Sequence, residues 1–168
     1  MARMLGLFLL LAATVRGPGD VASLTAAADV VVHAQVVRRS SAWGAGGGQI
    51  FTTVVLRPLE TWKGEIEAQL SLLVPGGEVG DLSQTVQGAA IFRDGEEVVV
   101  FLHRRTAGVY SVDRLALGKF AVGAALPSLP KRAIRDRRGL ECVGCGPAEA
   151  DDLSLDELRA RVLGSLAR

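Results

Sequence analysis

The stretch "EIEAQLSLLVPGGEVG", residues 65–80, holds the choice between two folds. Ile66, Ala68, Leu70, Leu72 and Val74 take one phase; Glu65, Glu67, Gln69 and Ser71 take the other. A two-residue period belongs to a strand with one wet face. Gly76, Gly77 and Gly80 then follow the apolar run, where a phosphate-cradling loop would sit. Such a loop must end in a helix N-terminus, whose amides and dipole hold the anion. Here "DLSQTVQG" (81–88) is polar without helical period, and no Lys-Ser or Lys-Thr follows. The glycines therefore read as a corner where a strand changes direction.

The flanking sequence continues the β pattern. "DVVVHAQVVRR" (29–39) is β-branched and continuous, "SSAWGAGGG" (40–48) is a loop, and "QIFTTVVLRPLETW" (49–62) is a long strand. Leu56 and Leu59 stand three apart around Pro58, so the strand's phase slips there, as a bulge would cause. "TVQGAAIF" (85–92) suggests a short strand, and Asp94-Gly95 a hairpin turn. "EVVVFLH" (97–103) is apolar on both faces and belongs at the centre of a sheet; "VYSVDRLALGKFAV" (109–122) supplies one or two closing strands. Short connections and no intervening helix predict a mainly β fold: a small antiparallel OB-like barrel of five to six strands over 23–122.

Residues 123–153 read as a loop, with Pro127, Pro130, Pro147 and the basic run "PKRAIRDRRG". "SLDELRARVLGSLAR" (154–168) is an amphipathic helix packed on the barrel. Ser154 and Glu157 form a capping box, and Leu155, Leu158, Val162 and Leu166 make one stripe. "DVASLTAAAD" (20–29) suggests a short helix before the first strand.

At 168 residues the chain holds one domain, and with only 5% aromatics its core rests on Val, Leu, Ile and Ala. A net charge of +1 gives no footprint for nucleic acid, which wants a concentrated basic surface. Arg3 followed by the apolar run Leu5–Val15 matches a signal peptide, too short to span a bilayer. We expect a signal peptide over 1–22, cleaved between Ala13 and Ala22 although no clean A-x-A site marks the point. No later stretch is long and apolar enough to cross a membrane, so the expectation is an exported protein, periplasmic or secreted, without a transmembrane segment in the mature chain.

Candidate chemistry is sparse. In "CVGC", Cys142 and Cys145 lie in a Gly- and Pro-flanked loop, far from the βαβ unit that a redox pair of this spacing occupies. Outside the cytosol the plain reading is a local disulfide. A thiol-redox protein using the same pair is the alternative function. As a metal site the pair is half complete, since the two histidines, His33 and His103, fall on predicted strands. His33 reads as a surface or hydrogen-bonded residue, and His103, beside Arg104 and Arg105, as solvated. No G-x-S-x-G, H-E-x-x-H or S-x-x-K motif occurs. Lys131, Arg132, Arg135, Arg137 and Arg138 could meet an anionic surface, but such runs are most often solvated loop. These residues assign no catalytic, cofactor-binding or metal site, and no cofactor.

The order "ADVVVHAQVV" (28–37), "TWKGEIEAQLSLLV" (61–74), "GGEVG" (76–80) and "RDGEEVVVFL" (93–102), then a final hairpin, resembles the netrin-like modules, including tissue inhibitors of metalloproteinases. It also resembles a group of uncharacterised exported bacterial proteins with this layout and a closing helix. Ala28-Asp29 before the first strand, Trp62-Lys63-Gly64, the Gly80 corner and Gly95-Glu96 carry the likeness over roughly residues 27–122. It implies an OB-type five-stranded barrel. The inhibitors place an N-terminal cysteine on a catalytic zinc, whereas this chain has none before Cys142, so no inhibitory residue carries over. The resulting expectation is a non-enzymatic binding or accessory module. Its partner would be another exported protein or cell-envelope component, met through loops 40–48 and 75–90 or an exposed strand face.

Overall fold

A computed structural model describes residues 13–106, 108–124, 126–143 and 151–167. The chain is mainly β, with 48% strand, a closed five-strand barrel and a C-terminal helix. In order, the elements are β1 (Ala13–Arg16), α1 (Val21–Ala27), β2 (Val30–Trp43), β3 (Ile50–Lys63) and β4 (Leu70–Pro75). There follow β5 (Gly77–Val79), β6 (Leu82–Gln84), β7 (Glu97–Thr106), β8 (Val109–Val112) and β9 (Lys119–Gly123). Last come β10 (Arg132–Ile134), β11 (Leu140–Val143), β12 (Asp152–Ser154) and α2 (Leu155–Leu166).

The barrel is the ring β2–β3–β4–β8–β7, closed where β7 pairs with β2. Four of its joints are antiparallel and the β4–β8 joint is parallel. An odd number of strands cannot alternate direction all the way round, so a five-membered ring must contain a parallel pair. That is the one refinement to the antiparallel expectation. The far edge of β7 is shared: Leu102–Thr106 pair with β8, while Glu97–Val100 pair with β9. From β9 the sheet runs on through β10 to β12, outside the ring.

Two cores follow from the alternation along β2 and β7. Val30, Val32, Ala34 and Val36 of β2 meet Val98, Val100 and Leu102 of β7 inside the barrel, with Leu56, Leu70, Leu72 and Tyr110. Val31, Val99 and Phe101 point outward, where α1 (Val21, Leu24), α2 (Leu158, Val162), Phe120, Ala133 and Leu153 cover them. The strand that was apolar on both faces is indeed central. The bulge near Pro58 is present too: His33 pairs with Glu60 and Ala34 with Pro58, leaving Leu59 as the extra residue. Further register shifts at Val31/Val32 and Val36/Arg38 add bends of the kind that let strands close into a small barrel.

Several expectations are corrected. β2 runs on to Trp43 because Ser41 and Thr52 pair across the hairpin, their hydroxyls 2.9 Å apart, so the loop of 40–48 shrinks to its second half. The strand expected over 65–74 begins only at Leu70, although Ile66 still packs on the barrel core. Residues 85–92 are not a strand; they form an irregular segment that buries Ala90 and Phe92 against the barrel core. The Asp94-Gly95 turn exists, but it docks on β2, with Gly95 N donating to Val36 O and Val36 N to Glu96 O. Within the expected loop 123–153 lie β10, β11 and β12, whose three or four residues are too short for a readable period.

Both helix readings hold. Asp20 caps α1 by accepting from Ser23 N at 2.8 Å, and Ser154 caps α2 by accepting from Glu157 N at 3.1 Å. Leu158 and Val162 are buried, while Leu166 at the end of the stripe is exposed. Gly19 and Val21, inside the segment expected as a leader, are buried parts of the fold, and β1 pairs in parallel with β11. The expected Cys142–Cys145 disulfide lies outside the described residues, which include Cys142 in β11 but not Cys145. No helix among the described residues is long and apolar enough to cross a membrane.

Candidate functional site

One end of the barrel gathers the two loop regions singled out in the sequence. Gln84 of β6 joins them: its Oε1 accepts from Ile50 N at 2.6 Å and its Nε2 donates to Gly48 O at 3.4 Å. Thr52 Oγ1 donates to Gly76 O at 2.7 Å, and Gly77 lies against Ser41 and Thr52. The β2–β3 and β5–β6 hairpins thus form a single rim. Gly76 and Gly77 adopt φ of +95° and +140°, where a side chain is strained, and Gly80 turns β5 into β6. A hairpin follows the glycines rather than a helix, so no array of helix-end amides is available to an anion.

Two recesses open beside this rim. The smaller, about 220 Å³, runs from Arg39 and Thr52 along Gly76–Glu78 to Ser83–Val86. The larger, about 440 Å³, is lined by Phe51, Leu73, Val74, Pro75, Ala90, Arg105, Ser111, Val112 and Leu115. They share Val74, Pro75 and Ala90. The larger recess has a clear origin in strand pairing. Across the parallel joint only Ser71 with Val109 and Leu72 with Tyr110 are paired, so β4 and β8 part beyond Leu72. Leu73–Pro75 of β4 and, across the gap, Ser111 and Val112 line the recess together with Ala90.

The lining is apolar except for one cation and one hydroxyl. Arg105 Nε donates to Ser111 Oγ at 2.9 Å, and among the described residues the guanidinium meets no carboxylate. Backbone strain sits at the same place. Arg114 and Leu115 have φ of +47° and +58°, conformations that cost about 1–3 kcal/mol each for residues with a Cβ. The strained Leu115 is a lining residue.

The residues flagged from sequence fall elsewhere. His33 is buried on the outer barrel face, its Nε2 2.6 Å from Glu97 Oε1; Lys131 Nζ donates to both Glu97 oxygens at 2.8 and 2.7 Å. Burial raises the Glu97 pKa, but the hydrogen bonds from Lys131 and His33 outweigh it and hold the carboxyl below its usual range. His103, expected to be solvated, is 38% exposed and also lies between two carboxylates: Nε2 is 2.9 Å from Asp113 and Nδ1 3.6 Å from Asp29. Among the described residues the polar side chain nearest each ring nitrogen is thus a carboxylate.

Within the basic run, Arg135 is the correction. Arg135 is buried, donating to Gly19 O at 2.7 Å with its guanidinium 4.4 Å from the Phe120 ring centroid. Lys131 pairs with Glu97, Arg132 with Asp152, Arg137 with Asp151 and Arg138 with Asp136. These four side chains are ion-paired, and Lys131, Arg132 and Arg138 remain exposed as a solvated run would be. Among the described residues no group of three or more His, Cys, Asp or Glu could hold a metal ion.

Two features escaped the sequence reading. Lys119 is buried beside a cavity of about 420 Å³, where its Nζ donates to Ile91 O at 2.5 Å and Glu96 Oε1 at 2.8 Å. Desolvation pushes its pKa down against the pull of Glu96. The recess lining was the other. One signal did exist: Leu73 continues the polar phase of Glu65, Glu67, Gln69 and Ser71, so it is an apolar residue on the wet face. It is 40% exposed. No family model, curated protein or solved structure matches the chain.

Proposed function

We propose that the chain is an exported, non-enzymatic binding or accessory module that recognises another exported protein or a cell-envelope component. The observation that carries this reading is the rim: two hairpins locked together by Gln84 beside an apolar recess at a splayed strand joint. Trp43 of β2, Leu82 of β6 and Ile91 expose apolar side chains (46%, 59% and 67%) on the segments that build this end. A contiguous exposed apolar patch marks an interaction surface, and the proposal takes these three side chains as parts of one. The engaged histidines and self-paired basic run favour recognition over turnover. Export is supported by Arg3 and the apolar run Leu5–Val15, and the five-strand ring with its closing helix suits the netrin-like layout.

Photo-crosslinking in the host's exported fraction tests the proposal. A benzophenone side chain at Leu82 or Trp43 should give one discrete adduct, and the same probe at Leu163 on α2 should give none. Absence of any rim adduct, together with turnover of a small substrate by the purified chain, overturns it.

A further inference from the structure

We propose that the larger recess binds a free, single-chain carboxylate, an alkanoic acid of medium length whose chain lies in the apolar slot and whose head meets Arg105. The inference rests on the binding-module reading and names the ligand of its recess. Three observations point to it. The walls are apolar: Phe51, Leu73, Val74, Pro75, Val112 and Leu115 offer no hydrogen-bonding side chain. A fatty chain is matched by such a wall, whereas a sugar or nucleotide would leave its polar groups unpaired there.

The single charge at the slot has the right sign and is held in place. A guanidinium has five N–H donors; Arg105 spends its Nε on Ser111, and its terminal nitrogens have no hydrogen-bond acceptor among the described residues. A guanidinium so oriented is suited to a carboxylate, which it can meet with two parallel hydrogen bonds. Size also agrees. Small-ligand sites run to about 300–1,000 Å³, and the recess measures about 440 Å³. If each methylene takes about the 30 Å³ share of a water molecule, about ten carbons and a head group fit with the mouth left open.

Decanoate, kept below its micelle concentration, is the probe, and amide chemical shifts of the labelled full chain are the readout. Saturable one-to-one binding is expected, with the largest shifts at Leu73, Val112 and Leu115. Arg105→Gln, an exposed site that should fold normally, is expected to weaken decanoate about tenfold while leaving decanol unchanged. Leu73→Trp, which fills the mouth, should abolish both. The inference is overturned if decanoate does not saturate, if Arg105→Gln binds it as tightly as the parent, or if the tripeptide Leu-Leu-Val with a free C-terminus binds better. Rim crosslinking at Leu82 that persists without decanoate binding would refute the ligand and leave the module standing. Loss of the crosslink with decanoate binding intact would do the reverse.

Discussion

Replacing Gly77 by alanine probes whether the glycine corner is architecture. Its φ of +140° lies where residues with a Cβ pay about 1–3 kcal/mol. The added methyl would also clash with Ser41 Oγ and Thr52 Oγ1 and stand 2.9 Å from Ser41 Cβ. Crowding of that kind in a fixed hairpin costs about 1–3 kcal/mol. Together the two effects destabilise by about 3 kcal/mol, or a fall in melting temperature of roughly 6–12 °C for a domain of this size. Gly80→Ala is the control. That position has φ of +59° and open space around its would-be Cβ, so only the conformational cost of about 1 kcal/mol remains. Calorimetric melting of both variants gives the comparison. If Gly77→Ala melts within 2 °C of the parent, or Gly80→Ala is the worse of the two, the corner is not packed as described. A second check uses a double-mutant cycle with Ser41→Ala, which removes one clashing hydroxyl and should recover part of the loss.

Tyr110 is fully buried in the barrel, and its hydroxyl has no hydrogen-bond partner among the described residues. Tyr110→Phe should therefore raise stability by about 1 kcal/mol; a clear drop in melting temperature would mean that the hydroxyl is satisfied. A chain beginning at Ser23 loses the Asp20 cap and buried Val21, which together contribute about 3 kcal/mol. A chain beginning at Pro18 keeps both and should unfold at distinctly higher urea. On acidification, Asp29 (backbone N–H of Arg104), Glu60 (Arg159), Glu97 and Asp136 (Arg138) matter, since each carboxyl titrates below its unfolded value, Asp136 at about 2. A depressed carboxyl stabilises above its unfolded pKa and loses that contribution as pH falls through the folded one. Urea midpoints should hold steady down to about pH 5 and decline from there toward pH 2; a midpoint that rises on acidification contradicts the pairing.

Legibility followed the length of the pattern. β2, β3 and β7 show their alternation or two-faced apolar character over ten or more residues, and the Leu59 bulge announces itself as a phase slip around Pro58. β10 and β12 have three residues each and take their pairing from partners distant in the chain, which no local period encodes. Side-chain fates were harder still. His103 looked solvated beside two arginines, but the barrel brings Asp29 and Asp113 to its ring. Arg135 sits in a run that reads as surface, yet the fold seats it on Phe120 beneath Gly19 O. The recess was invisible for a similar reason. It exists because a strand joint stops at Leu72, and where pairing stops depends on the whole ring.

Hydrogen–deuterium exchange of the full chain, with and without the molecule captured at the rim, reaches the central claim most directly. Binding at the recess end predicts slowed exchange across 41–52, 73–92 and 105–115, and none along α2. Slowing confined to α1 and α2, with the two hairpins untouched, would contradict it.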